Sequence, residues 1–291
     1  MTLDHAFAWS IVGWAAAVFA LFGARLMTKG RARFDRIDKV GGSILLSQRV
    51  MEAFYWTFGP IVRLFVALGI TANMITWGSL VTGLAGGVAL AVGHFGVGAF
   101  LGLVGMLLDT FDGMVARATK KSSDSGEVLD AAADRYTEFA FIGGLAFYYR
   151  NDASFCALSL LALLAALMIS YSSAKADAMH VPTPRGTMRR HERGAYLIAG
   201  AVISAFTYVW EVGRFGRSIG VPMLTGLALI ALVGNVSAVR RFTAVSRSVR
   251  AKELAEGRFA VVAPPSVDDD EDEDDEVEPP VLRPMDGAHV R

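Results

Sequence analysis

Four aspartates, Asp109, Asp112, Asp130 and Asp134, stand in the stretch LLDTFDGMVARATKKSSDSGEVLDAAADR, inside one of the most apolar parts of the chain. Asp109 and Asp112 are three residues apart and Asp130 and Asp134 four apart, so each pair shares one face of a helix. The polar turn at 120–125 is short, which makes the two helices antiparallel neighbours. All four carboxylates then converge on one space at one end of the pair. Like charges so placed repel one another unless cations neutralise them. Intramembrane carboxylates are costly and mark function by default. Hard oxygen donors suit Mg2+ or Mn2+, and one divalent ion offsets only part of the charge, so two ions are expected. Pairing with Arg117, Lys120, Lys121 and Arg135 is the plain alternative, and it accounts for one or two of the four. It leaves unexplained Gly113 and Gly126, placed beside the aspartates in helical runs, where glycine costs about 1 kcal/mol. With Ala116, these small residues leave room for a bulky, phosphate-bearing ligand.

The elements that carry this cluster read as membrane spans. The chain has 291 residues, 53% of them hydrophobic, and a mean hydropathy of +0.42. Several blocks approach the 20 apolar residues that cross a bilayer. The first, about 7–27, lacks a basic n-region. Arg25, Lys29, Arg31, Arg33, Arg36 and Lys39 cluster at and after its end, so an anchor fits better than a signal peptide. Residues 43–66 mix charges with aromatics and read as an amphipathic interfacial helix, with a helix packed under the bundle as the plain alternative. Six further spans are expected at about 72–92, 96–118, 128–149, 154–173, 194–210 and 221–239. The fold class is therefore all-α: a polytopic bundle of six spans, with an extra N-terminal span and an interfacial helix. The parts are a membrane anchor (1–30), a basic linker with the amphipathic helix (31–70), a catalytic membrane domain (71–250) and an acidic tail (251–291).

Charge sets the orientation. One set of connections holds Arg117/Lys120/Lys121, Arg185/Arg189/Arg190/Arg193 and Arg240/Arg241/Arg247/Arg250/Lys252, and the other only Arg150, Arg214 and Arg217. The positive-inside rule puts the first set, and the aspartate cluster with it, in the cytoplasm, with the N-terminus outside. The net charge of zero hides a division, because residues 261–291 carry 11 acidic and 2 basic side chains. That composition is too charged to fold and reads as a solvating tail. The single Cys156 excludes an internal disulfide.

Asp109-x2-Asp112-Gly113-x2-Ala116-Arg117-x8-Gly126-x3-Asp130-x3-Asp134 resembles the complete motif of the CDP-alcohol phosphatidyltransferases, with every fixed position and gap in agreement. The resemblance covers about residues 45–250 and omits the first anchor and the tail. It implies transfer of a phosphatidyl group from CDP-diacylglycerol to a small alcohol, with release of CMP and dependence on divalent metal. Carried over by motif position, Asp109, Asp112 and Asp130 are metal ligands, and Asp134 is a ligand and the general base. Gly113, Ala116, Arg117 and Gly126 line the nucleotide and diphosphate site. GITANMIT at 69–76 resembles the family segment that opens the first core helix, with Ala72 in place of proline, which makes Asn73 a further CDP-lipid contact, an ordinary helix cap by Thr71 or Asn73 being the equal alternative. No Cys or Ser nucleophile stands out, so direct displacement is expected. A homodimer, in a bacterial inner membrane, follows from the resemblance alone, and nothing calls for nucleic acid.

The acceptor alcohol is read from the cations. Lys175, Arg185, Arg189, Arg190 and Arg193 fall between the fourth and fifth core spans, and arginine recognises phosphate with a fork of donors. Positive-inside charge alone explains about half of them. The rest favour a sugar- or polyol-phosphate. The AKADA and RRHER segments resemble those of the phosphatidylinositol-phosphate synthases, with Lys175 and Asp177 where that subgroup has Arg and Glu. Glycerol-3-phosphate is the competing acceptor, and the absence of an aromatic cage counts against choline. A non-catalytic cation-binding membrane protein or transporter is the remaining reading, disfavoured because no internal repeat is visible.

Overall fold

The computed structural model describes residues 2–29, 48–183, 186–215 and 218–257. Among these the chain is helical throughout: α1 (Thr2–Lys29), α2 (Gln48–Ala67), α3 (Ala72–Ala91), α4 (Phe95–Ala118), α5 (Asp124–Tyr148), α6 (Ala153–Ala178), α7 (Arg190–Phe215), α8 (Val221–Leu229), a five-residue π turn (Ile230–Gly234) and α9 (Asn235–Ala255). Each expected span falls on one of these helices except the last, 221–239, which runs through α8, the π turn and the start of α9. Six stretches are long and apolar enough to cross a membrane: Leu3–Arg25, Ala72–Ala91, Phe95–Ala118, Ala153–Ala178, Arg190–Phe215 and Val221–Ala255. The seventh expected span, on α5, has the length but not the apolarity, because Asp130, Asp134, Arg135 and Glu138 interrupt it. The expectations for residues 31–47, Arg185, Arg217 and the acidic tail lie outside the described residues.

The chain forms two compact units. The first comprises Met1–Ser170 and Gly186–Ala238, and the second Tyr171–Arg185 and Val239–Arg291. The larger unit has a core of Leu90, Phe95, Ile142, Leu145, Leu197, Met223 and Leu227, contributed by α3, α4, α5, α7 and α8. A smaller cluster joins Phe58 and Val62 of α2 to Ile75, Phe111 and Val115. Phe58 also meets Trp14 of α1, so α2 buries one stripe of its amphipathic pattern while Ile61 and Leu64 on the other side are exposed. In the second unit, Ala176 and Val181 pack on Val245, and Tyr171 meets Phe242 at 5.8 Å.

Between apolar helices in lipid there is little hydrophobic drive, and close backbone packing replaces it. The seam between α3 and α5 is built that way. A Cβ on Gly87 would run into the carbonyl of Ala140, and one on Gly144 into the carbonyl of Gly87. Gly87→Val is expected to cost about 3 kcal/mol, the upper range for overpacking, read as a lower melting temperature of the purified protein. An unchanged melting temperature would contradict this packing.

Two polar clamps hold the end of the unit remote from the aspartates. Asp4 of α1 caps α4 from outside: its carboxylate accepts from Val97 N at 3.0 Å and pairs with His94 Nδ1 at 2.9 Å. Glu211 of α7 is fully buried. It accepts from the backbone N–H groups of Ile219 at 2.7 Å, Gly220 at 2.6 Å and Val221 at 3.0 Å, which supplies the start of α8 with the acceptor its first turn needs.

Candidate active site

Three helices bring the aspartates together. α4 delivers Asp109 and Asp112 from its C-terminal half. α5 begins at a serine cap, with Ser123 Oγ accepting from Gly126 N at 3.1 Å, and presents Asp130 and Asp134 from its second and third turns. α3 packs along both, and the Thr71 hydroxyl caps its first turn by accepting from Met74 N at 3.3 Å. One carboxylate oxygen from each of Asp109, Asp112 and Asp130 lies within 4.8 Å of the others. Oδ1 of Asp130 is buried with no hydrogen-bond partner among the described residues. Three converging carboxylates, one with an unsatisfied buried oxygen, fit a hard divalent cation.

Asp134 lies beside this trio rather than in it. Its carboxylate is ion-paired with Arg190 Nη2, and the same guanidinium grips Asp109 through Nη1 to Oδ1 at 3.0 Å and Oδ2 at 3.1 Å, and Nη2 to Oδ1 at 3.1 Å. Arg190 is thus a cation that meets two of the aspartates directly. It comes from the first turn of α7, 81 residues from Asp109, a partnership that only the tertiary fold discloses. A cavity of about 80 Å3 opens at this point, with Asp109, Asp134, Arg190 and His191 at its polar side and Phe141 and Leu197 at its apolar side.

The remaining expected site residues divide by location. A Cβ on Gly113 would meet Arg117 Nη1 at 2.9 Å, and one on Gly126 would meet Asn73 Oδ1 at 3.6 Å. Gly113 therefore adjoins Arg117 on α4, and Gly126 of α5 adjoins Asn73 of α3, with Ala116 one turn beyond Asp112. Arg193, expected at the acceptor, is instead buried to 1% exposure of its side chain. Its Nε donates to Glu138 Oε1 at 2.8 Å and its Nη1 to the Met188 carbonyl at 2.7 Å. Arg189 is exposed and its backbone N–H is capped by Glu192 Oε2 at 3.0 Å. Lys175 sits in the last turn of α6, in the second unit.

Sequence reasoning passed over Thr76, Glu138 and Glu192. Glu138 follows Asp134 by four residues and so shares its helix face, a signal that was available. It joins Arg193 at 2.6 Å and Arg135 at 3.3 Å, and Arg135 also reaches the Ser170 hydroxyl.

Comparison with known proteins places this geometry. The family model for CDP-alcohol phosphatidyltransferase matches residues 69–233. The phosphatidylinositol phosphate synthase of Streptomyces avermitilis is 26% identical over 246 residues, 80% of this chain and 96% of its own. That of Corynebacterium glutamicum is 32% identical over 206 residues, 68% of this chain and 87% of its own. Crystal structures of the Mycobacterium tuberculosis phosphatidylinositol phosphate synthase are similar at 27% identity. The form with CDP-DAG bound gives a TM-score of 0.57 over 65% of this chain and 93% of that one. The form in complex with manganese and citrate gives 0.58 over 65% and 88%. The match begins just before α3 and ends in the π turn, so it spans every helix that carries an aspartate of the cluster. This chain is a membrane-embedded member of the CDP-alcohol phosphatidyltransferase family.

Proposed function

We propose that the protein transfers the phosphatidyl group of CDP-diacylglycerol to the hydroxyl of a polyol phosphate, with inositol-1-phosphate the foremost acceptor, and releases CMP. The observation that carries this reading is the convergence of Asp109, Asp112 and Asp130 beside an Asp134–Arg190 pair on the wall of a cavity. The names of the relatives and the CDP-DAG and manganese complexes of a similar structure support it.

Asp109, Asp112 and Asp130 would hold Mg2+ or Mn2+, and Asp134 would join them if a second ion binds. A divalent ion bound there neutralises the diphosphate and the departing CMP. The chain's own groups do the rest. Asn73, Gly113, Ala116, Arg117 and Gly126 border the CDP moiety. Arg190 fixes Asp134 and Asp109 at once, so the base is oriented before the acceptor arrives. The acceptor oxygen forms a bond to the phosphorus that bears diacylglycerol, the bond from that phosphorus to CMP breaks, and Asp134 takes the hydroxyl proton. Arg189 attracts the acceptor phosphate. Arg193 contributes by anchoring the turn before α7 rather than by touching the acceptor. The site opens to the cytoplasm, with α1 entering from outside, and the protein works as a homodimer in a bacterial inner membrane. Residues 1–30 anchor it, 31–70 link that anchor to the catalytic domain at 71–250 and line the interface, and 251–291 solvate the cytoplasmic side.

Purified protein supplied with CDP-diacylglycerol and Mn2+ or Mg2+ is expected to release CMP with inositol-1-phosphate, and more slowly with glycerol-3-phosphate, free inositol or serine. Absence of CMP release with every acceptor would overturn the enzymatic reading. A faster rate with glycerol-3-phosphate would reassign the acceptor. Arg189→Ala should raise the KM for the phosphorylated acceptor about tenfold, the loss of one charge-assisted contact. An unchanged KM would remove Arg189 from the phosphate site.

A further inference from the structure

Thr76 lies on α3, a helix that supplies none of the four aspartates, yet its hydroxyl touches one of them. Thr76 Oγ1 is 2.7 Å from Asp112 Oδ2 and 3.1 Å from the carbonyl of Ala72. Bonding to the carbonyl four residues back is the common habit of helical Ser and Thr. Thr110, Thr225 and Thr243 all do this, to Met106, Val221 and Val239 at 3.0, 3.0 and 2.9 Å. Thr76 is different because its second neighbour is a carboxylate on another helix. A hydroxyl has one proton, and the shorter contact to the carboxylate is the stronger acceptor. Both residues are buried, Thr76 at 4% and Asp112 at 5% exposure. Burial denies Asp112 the water that would otherwise compete with the hydroxyl. The other oxygen, Oδ1, accepts from Gly113 N at 2.5 Å. The two donors together fix the plane of the Asp112 carboxylate.

We infer that Thr76 is a positioning residue for the metal centre: its hydroxyl orients Asp112 so that the Asp109–Asp112–Asp130 trio is ready for a divalent ion before one binds. This rests on the metal reading of the trio given above. Partners of ligating carboxylates hold ligand orientation, and their loss typically costs about 10–100-fold in metal affinity or activity. The effect comes through Asp112, the carboxylate that the Thr76 hydroxyl touches. Thr76 also follows Asn73 by three residues on α3, and Asn73 adjoins Gly126 at the start of α5. One helix therefore braces both aspartate-bearing helices, at Asp112 on one side and at Gly126 on the other.

The test is Mn2+ affinity of the purified full-length protein, measured from free Mn2+ by electron paramagnetic resonance without substrates. Thr76→Val keeps the shape and removes the donor. It is expected to weaken Mn2+ binding about 10–100-fold, and Thr76→Ser to return it to within about threefold of wild type. The rise in melting temperature that Mn2+ confers on wild type should be smaller in Thr76→Val at the same Mn2+ concentration, since the stabilisation follows the logarithm of [Mn2+]/Kd. Wild-type Mn2+ affinity in a folded Thr76→Val protein would overturn the inference. If Thr76→Val does not fold, Thr76→Cys, whose thiol is a weak donor, takes its place: affinity equal to wild type overturns the proposal and a loss rescued by Thr76→Ser supports it. A wild type that binds no Mn2+ would instead overturn the metal reading itself.

Discussion

Asp134→Asn is expected to reduce CMP release by a factor of about 10²–10⁴, the range that a positioned general base contributes, while CDP-diacylglycerol still binds. Asp134 stands outside the trio whose oxygens converge within 4.8 Å, so the amide leaves that trio intact. It lines the cavity beside Arg190, where an acceptor hydroxyl would lie. Asparagine keeps the size and loses the proton acceptor. Arg190 retains its grip on Asp109 through both Nη atoms, so the site is not left with an unpaired guanidinium. Steady-state CMP release and binding of radiolabelled CDP-diacylglycerol, measured on the same preparation, separate the two roles. Turnover above a tenth of wild type would exclude Asp134 as the base. Loss of lipid binding along with turnover would make it chiefly a metal ligand.

Glu138→Ala is expected to destabilise the protein by about 3–5 kcal/mol, the cost of stripping one partner from a buried ion pair. Arg193 has 1% of its side chain exposed and Glu138 has 9%, so no water replaces the lost carboxylate. The damage reaches beyond that pair. Arg193 Nη1 holds the Met188 carbonyl, two residues before Arg190, and a displaced Met188 turn would move the guanidinium that orients Asp109 and Asp134. Activity should therefore fall with stability, although Glu138 lies outside the trio. Chemical unfolding in detergent reads the effect. The double replacement Glu138→Leu with Arg193→Met should recover most of the loss, since a buried ion pair exchanged for apolar side chains is often neutral or stabilising. Wild-type stability in Glu138→Ala would show that Arg193 finds another partner.

The aspartate cluster was legible because its information is local. Asp109/Asp112 and Asp130/Asp134 need only helix periodicity and a short turn to converge, and the structure places the four on neighbouring helices as expected. The spans were legible because apolar length is a strong signal. α5 was the exception on composition: Asp130, Asp134, Arg135 and Glu138 lower the apolarity of its 128–149 stretch, and the motif rather than hydropathy marks it as part of the bundle. The cations were hard to assign for the opposite reason. Arg185, Arg189, Arg190 and Arg193 all read alike as positive charge near one membrane end. Packing separates them: Arg190 turns to the aspartates, Arg193 is buried against Glu138, and Arg189 remains exposed. Those fates depend on which face of α7 meets α4 and α5, which no spacing within the segment encodes. Thr76 was missed because its partner is 36 residues away and its own sequence context reads as an ordinary apolar helix.

The clamps at the far end of the bundle also govern the height at which the aspartates stand. Smooth apolar helices in lipid can slide along their axes at little cost, because lipid contacts replace helix contacts almost evenly. Asp4 pins the start of α4, and Glu211 pins the start of α8 to α7. Asp109 lies 14 residues along α4 from Phe95, roughly 21 Å at 1.5 Å per residue. A carboxylate near the chain's first turn thus sets the axial register of a catalytic helix at a distance, and an axial slip of one turn, about 5.4 Å, would carry Asp109 and Asp112 out of level with Asp130 and Asp134.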